Sequence, residues 1–431
     1  MLEKIFQLKK NNSSVKVEIF AGISTFLTMS YIIFVNPSVL SQTGMDQGAV
    51  FVATCLAAAF GSALMGLIAN YPIALAPGMG LNAYFTYSVV LGAHHSWQVA
   101  LGAVFISGII FLCLSIFPAR EYLINSIPKS LKVAIAAGIG LFLGIIGFKS
   151  AGIITGSPAT LLTLGNLHQP TTLLAILGFF LIIGFEALNI TGATILSILT
   201  VTVLSIILGY SEFKGVFSMP PSLIPTLCQM DLKGAFNLGL VTIVFAFLFV
   251  DLFDNTGTLI GIAYRAGFID KNDKLPRINR VLIADSAAAI AGAVFGTSTT
   301  TSYVESAVGV KVGGRTGLMA VVVGILFLLA LFLSPLASSI PAFATAPALV
   351  YVACLMSRAV TEIQWEDTTE YVPAIITVMA MPLTFSIADG ISFGFISYTV
   401  IKVISGRFRD LNPALVVLSI AFIMKYAFLT L

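Results

Sequence analysis

Charge is what this chain has least of. Only 10% of its 431 residues are Asp, Glu, Lys or Arg, whereas 58% are hydrophobic. A soluble domain carries about a quarter charged residues, and a chain this poor in charge could not cover a water-facing surface. That excludes a soluble globular domain and points to an integral membrane protein whose largest partner is the lipid bilayer. Cysteine and histidine are scarce too. Cys55, Cys113, Cys228 and Cys354 are scattered, mostly within apolar runs, without a CxxC pair, so neither a disulfide framework nor a thiolate metal site is expected. His94-His95 and His168 fall in predicted loops with no third ligand close in sequence; no metal and no cofactor is expected. The net charge of +3 is spread over short loops rather than gathered into one patch, and no nucleic-acid partner is expected. A cleavable signal peptide is not expected either, because the polar start MLEKIFQLKKNNSSVKVE leads straight into a full-length span.

What the chain has in abundance is apolar runs of membrane-crossing length. Counting stretches near twenty residues predicts seven spans within 17–209, a polar link at 210–236 rich in Pro and Ser, and more spans from 237 to 431. The total is about fourteen or fifteen, depending on whether PLTFSIADG divides a span in 371–431. Two features favour fourteen as seven plus seven. The third span (73–91) is interrupted by Pro77-Gly78-Met79-Gly80, and the tenth (297–310) by GTSTTTS, Gly296 to Ser302. Helix breakers at matching places in two halves mark an inverted-repeat transporter, and inversion requires an odd number of spans per half. The basic loops fall where a cytoplasmic N-terminus would put them: Lys4, Lys9, Lys10 and Lys16 in the tail 1–16, then Arg120, Lys129 and Lys132, then Arg265 to Arg280. The expectation is an all-α polytopic protein with a first repeat at 17–209, an extracytoplasmic link at 210–236 and a second repeat at 237–431.

Few ionisable groups remain inside these spans: Asp251, Asp254, Asp285, Glu305 and, less deeply, Glu186 and Asp389. A carboxylate at the bilayer centre costs on the order of 2.5–3.5 kcal/mol on insertion scales, so its default reading is functional. Asp285, Glu186 and Asp389 lie near span ends, where an interfacial or structural role is as good a reading. Asp251 and Asp254 are spaced i, i+3 on the eighth span (237–262) and share a face. Two carboxylates that close cannot both ionise cheaply, so one should hold a proton, which is the chemistry of a proton-coupled transporter. In the tenth span a hydroxylic run that includes Thr300 is poor helix material, and unwound backbone survives in a membrane only in a cavity or buried in protein. A helix restarting after that break would carry Glu305 to the same space. In the third span, Pro77 and two glycines break LAPGMGLNAYF, with Asn82, Tyr84 and Phe85 starting the new helix. Asn82 offers donors and an acceptor without charge; Tyr84 or Phe85 offers a flat face. Thr25, Thr28, Ser30 and Tyr31 add weaker polar signals on the first span. Carboxylates, an amide and an aromatic ring without Arg or Lys suit a flat, neutral molecule with several N–H donors.

LAPGMGLNAYF, VDLFDNTGTLIG and GTSTTTSYVESAVGVKVGGRTGL resemble the AzgA-like purine nucleobase permeases, the adenine, guanine and hypoxanthine transporters of the nucleobase–cation symporter group. The likeness runs from FAGISTFLTMSYIIFVNPSVL to GISFGFISYTVIKVISGRFRDLNP. It implies fourteen spans in two inverted repeats, a core domain (17–117 plus 237–335) and a gate domain (118–209 plus 336–431) that also tends to form a homodimer. It further implies proton-coupled uptake of purine bases in the plasma (inner) membrane, with the site between the third, eighth and tenth spans. By motif position, Asp254 would be the principal carboxylate against the purine, Glu305 the second substrate or proton-coupling group, and Asn82 a contact to the base or a brace for Glu305. Asp251 would be supporting; Thr28, Tyr84 and Thr300 complete the expected binding set. The alternatives are another nucleobase such as xanthine or uracil, or an anion carrier of the same architecture, for which a cation in the cavity would be expected. A channel would need no inverted halves, and an enzyme is not expected.

Overall fold

The computed structural model describes residues 2–116, 127–158, 160–236, 238–266, 268 and 277–428, without the side chains of 116, 238–242, 253, 254, 256, 257, 260, 261, 263–265 and 428. The basic positions Arg120, Lys271 and Lys274 therefore lie outside the described residues, and Asp254 outside the described side chains. Helices dominate, as they must where every backbone group has to be satisfied inside lipid. Among the described residues nine helices are long and apolar enough to cross a membrane.

The first span is two pieces, α1 (Val15–Met29) and α2 (Ile32–Leu40), and the second is α3 (Gln47–Leu64) with a terminal π turn. The third begins as a strand, β1 (Leu75–Pro77), and becomes helical at α4 (Met79–Ala83), which runs on as a π-helix through Tyr84–Gly92. The restart thus lies at Met79, ahead of Asn82: Gly78 is extended and its carbonyl accepts from Asn82 N at 2.8 Å. After α5 (Trp97–Ile116) come α6 (Lys129–Ser150), a hairpin of β2 (Ile154–Ser157) and β3 (Leu161–Leu164), α7 (Pro170–Ala187) and α8 (Ala193–Ile207). The second half repeats the plan: α9 (Leu238–Ala266), α10 (Ile278–Phe295), β4 (Thr300–Ser302), α11 (Ser306–Val312), α12 (Gly317–Ala330) and α13 (Ala342–Ser357). The last region folds as three helices, α14 (Thr368–Thr384), α15 (Ile387–Ile404) and α16 (Pro413–Phe428). PLTFSIADG does break the helix there: Phe385 takes φ 51°, and Ser386 caps α15 by accepting from Asp389 N.

Side-chain caps set several of the starts. Asp46 accepts from Ala49 N at 2.7 Å, and Asp367 accepts from Thr369 N at 2.9 Å, each satisfying an amide that a helix start leaves open. Helices α1, α3, α5, α9, α10 and α12 pack mainly on one another, and so do α6, α7, α8, α13, α14 and α15. In the first group, a Cβ at Gly317 would collide with the carbonyl of Gly66, so α12 can start against the end of the second span only because both residues lack side chains.

The N-terminal residues are fastened to the first group rather than trailing free. Phe6 and Leu8 are buried with Leu318, and Asn70 donates to Phe6 O at 2.9 Å while accepting from Gly317 N at 2.7 Å. Glu18, fully buried, accepts from Ser13 Oγ at 2.6 Å and from Arg315 N at 2.9 Å. The link at 210–236 is fastened as well. Ser218 N bonds Phe332 O at 3.0 Å, Cys228 N bonds Val294 O at 2.8 Å, and Asp231 N bonds Gln98 O at 2.9 Å. It therefore lies across the ends of α12, α10 and α5 like a strap.

Candidate functional site

The two broken spans meet. β1 and β4 pair antiparallel with Leu75 opposite Ser302, Ala76 opposite Thr301 and Pro77 opposite Thr300. Gly78 N to Thr299 O (2.9 Å) and Tyr303 N to Ala74 O (3.0 Å) continue the contact at either end. The local chemistry explains why strand replaces helix. Pro77 cannot donate and has a fixed φ, and the β-branched threonines suit an extended chain better than a helix. Surrounding hydroxyls satisfy backbone groups the short ladder leaves open. Ser62 Oγ accepts from Leu75 N at 2.9 Å and donates to Leu75 O at 3.1 Å. Ser306 Oγ accepts from Ala74 N at 3.0 Å, and the Tyr303 hydroxyl donates to Pro77 O at 2.6 Å.

Strand alternation then sorts the hydroxylic run into two faces. Thr300 and Ser302 point to α10: an added Cβ at Gly292 would lie 2.6 Å from Thr300 Oγ1, and Ser302 Oγ donates to Asp285 Oδ1 at 3.3 Å. Thr301 points the other way and lays its methyl on Gly78. Asn82, fully buried on α4, accepts from the Ser298 hydroxyl. Its Nδ2, and the hydroxyls of Thr299, Thr300 and Thr301, have no hydrogen-bond partner among the described residues. A buried donor left unmade costs about 1–3 kcal/mol, so groups on both faces of this ledge are open to a ligand or water.

Helix α9 supplies the facing wall. Phe247, Asp251 and Asn255 follow at i, i+4 and i+8, on one face. Tyr84 packs edge-on to Phe247, with ring centroids 4.9 Å apart at 68°. Asp251 is buried one turn on. One turn further, Asn255 Nδ2 donates to Asp285 Oδ2. Asp285 is fully buried, so it is not the interfacial carboxylate that its place near a span end allowed. It joins α9, α10 and β4 at one point. Asp254 belongs to the same helix, three residues past Asp251.

Glu305 is half-buried just ahead of α11, and its Oε1 accepts from the Tyr31 hydroxyl at 2.8 Å. Tyr31 is buried in the break between α1 and α2. Thr28 is not drawn to the ladder; its hydroxyl donates to Thr25 O at 2.8 Å on its own helix. One further residue ties the first span to the site. Asn36 Nδ2 donates to Thr54 Oγ1 at 2.7 Å and to Thr297 Oγ1 at 2.8 Å, bracing the start of the hydroxylic run. An Asn preceding Pro in the apolar FVNPSVL was a sign available in the sequence. Of the expected set, Thr300 lies in the strand pair and Asn82 is joined to it through Ser298. Tyr84 and Asp251 lie on α4's continuation and α9, and Glu305 follows β4. Thr28 is turned to its own helix, and the Asp254 side chain is outside the described ones. Among the described residues no group of His, Cys, Asp and Glu could hold a metal ion.

A model of the permease family matches residues 16–423. The chain belongs to that family. Among its relatives, the adenine permease AdeP of Escherichia coli (strain K12) is 50% identical over 429 residues, covering 100% of this chain and 96% of the other. The guanine/hypoxanthine permease PbuG of Bacillus subtilis (strain 168) is 46% identical over 440 residues, covering 99% and 100%. These permeases agree with the AzgA-like resemblance of the motifs. In fold, the chain is similar to the transmembrane domain of the bicarbonate transporter BicA from a cyanobacterium, with TM-score 0.65 at 16% identity over 86% of this chain and 96% of that one. It is similar also to the murine anion transporter Slc26a9 in its inward-facing state, with TM-score 0.66 at 11% identity over 90% and 68%. This permease is accordingly a multi-pass membrane protein of the fold those transporters share.

Proposed function

We propose that this permease is a secondary active transporter that takes up purine nucleobases (adenine, guanine or hypoxanthine) together with a proton. The observation that carries the reading is full-length similarity to permeases named for adenine and for guanine/hypoxanthine, together with the ledge at the strand pair. A purine is flat, uncharged and ringed with N–H donors and ring-nitrogen acceptors. Carboxylates accept from its donors, and the open amide of Asn82 donates to an acceptor. In this reading Asp254 is the principal carboxylate, with Asn82, Tyr84 and Thr300 in the binding set, while Thr28, its hydroxyl turned to its own helix, is left out. Glu305, Asp254 and Asp251 share the coupled proton. No cofactor enters the cycle.

The helices of 17–117 and 237–335 act as the moving core, and those of 118–209 and 336–431 as a gate that also forms the homodimer. Alternating access follows when the core slides past the gate. The setting is the plasma (inner) membrane with the N-terminus cytoplasmic, which the lysines of residues 4–16 favour. An anion reading has the fold neighbours in its favour. Against it, the site presents carboxylates, which repel an anion. The test is uptake of radiolabelled hypoxanthine, challenged by adenine, guanine, xanthine, uracil and bicarbonate, with and without a protonophore. Competition by purines and collapse with the protonophore are expected. Competition by bicarbonate alone would reverse the assignment.

A further inference from the structure

The first span sends a hydrogen bond to Glu305, and its donor is a residue in a helix break. Ile33 N bonds Ser30 O at 3.1 Å and Phe34 N bonds Tyr31 O at 3.1 Å, so the helix tightens there to i→i+3 spacing, which in mid-helix often marks a hinge. The Tyr31 ring is 3% exposed, and its hydroxyl reaches across to Glu305 at 2.8 Å. The hinge also sits where the two helix groups touch. α2 packs on α13 and α1 on α8, and Gly192 of the turn before α8 abuts Leu27 O, one turn ahead of Tyr31.

We propose that Tyr31 is a positioning residue for Glu305, and that through it the charge state of the carboxylate is tied to the break in the first span. The proposal rests on the proton-coupled reading above. A hydroxyl that donates to a carboxylate favours its ionised form, and an uptake cycle must pass through that form to release the coupled proton. Exchange of bound purine across the membrane does not require it, because the carrier can shuttle with the proton in place. Tyr31 therefore matters for net uptake and not for exchange. Among the described residues, ionisable groups near this pair include Tyr303 beside Glu305, Tyr351 on α13 and, next to Tyr351, Glu186 at the end of α7. Asp251 and Asp254 lie on α9, which packs on α11.

The test is Tyr31→Phe, which keeps the buried ring and deletes only the donor, studied as full-length protein in proteoliposomes. Two readouts are compared: hypoxanthine accumulation driven by a pH gradient, and hypoxanthine counterflow without a gradient. A hydrogen bond to a charged partner is worth about 1.5–3 kcal/mol, so driven uptake should fall about tenfold or more while counterflow stays within about threefold of wild type. Wild-type values in both readouts would overturn the proposal, since the hydroxyl would then do nothing. A parallel fall in both would overturn it too, because the hydroxyl would then serve the fold or the purine. Failure of the underlying reading shows separately: wild-type uptake would ignore the protonophore.

Discussion

Asp285 offers the sharpest quantitative test, because two substitutions there share one uncertain contribution that cancels between them. Its carboxylate is fully buried, taking a hydrogen bond from Asn255 at one oxygen and from Ser302 at the other. Removing the charge relieves a desolvation penalty of on the order of 2.5–3.5 kcal/mol, and both Asp285→Asn and Asp285→Ala gain it equally. They differ in what they leave behind. Asparagine keeps an oxygen toward Asn255 Nδ2 and turns its amide to Ser302, whose hydroxyl can accept as well as donate. Alanine strands the Asn255 amide in a dry interior at about 1–3 kcal/mol and opens a small cavity worth roughly another 1 kcal/mol. The asparagine variant should therefore be the more stable of the two by about 2–4 kcal/mol, whatever the charge contributes. Thermal unfolding of the purified proteins in detergent, followed by loss of the monodisperse peak, measures the order. Asp285→Asn should also retain hypoxanthine uptake, since it keeps the links to Asn255 and Ser302. Equal stability of the two variants would refute the idea that Asp285 holds Asn255 and β4 together.

Asp254→Ala and Glu305→Ala should each abolish purine uptake while membrane insertion, read by a fluorescent C-terminal fusion, stays normal; uptake by both would sink the site. Gly317→Ala should destabilise the protein by about 1–3 kcal/mol through overpacking, because its methyl meets the Gly66 carbonyl; an unchanged melting curve would mean that α12 can back away. The Asp367 carboxyl is held down to about 2, first by the Thr369 hydroxyl and then by the Arg407 guanidinium. Its contribution to stability is thus complete above about 4 and lost as pH falls through about 2. The melting difference between wild type and Asp367→Asn should shrink over that window and nowhere above it.

The membrane character and the two broken spans were legible because each departs from a simple background: a carboxylate, a proline or a polar run inside lipid-length apolar sequence. Asn82, Asp251 and Glu305 stood out for the same reason. Partnership was not legible. Tyr31 reads only as a weak polar signal on the first span, and nothing near it points to a carboxylate 274 positions away. Asn36 is the same case, at 261 positions from Thr297. Within the threonine run every position reads alike. Only the extended backbone of β4 sends Thr300 toward α10 and Thr301 toward Gly78. For Asp285 the sequence left an interfacial and a structural role open, since distance from a span end says little about depth once helices pack around it. The docked N-terminal residues were hidden likewise, because Phe6 and Leu8 find their partners on α12, made long afterwards.

The strand pair also bears on how the chain is born. Each half contributes one strand, and a ribosome delivers them in order, so β1 must enter the bilayer long before β4 exists. During that interval the backbone groups of β1 that face β4 must wait where lipid offers no replacement partner. Ser62 can shelter Leu75 from the first half alone, but Ala74 and Gly78 wait for Ser306 and Thr299. The third span is therefore a provisional structure until the tenth arrives, and a chain halted between the halves would be a natural substrate for membrane quality control. Co-expressing the halves as separate polypeptides, each unstable alone and rescued by the other, would make that dependence visible.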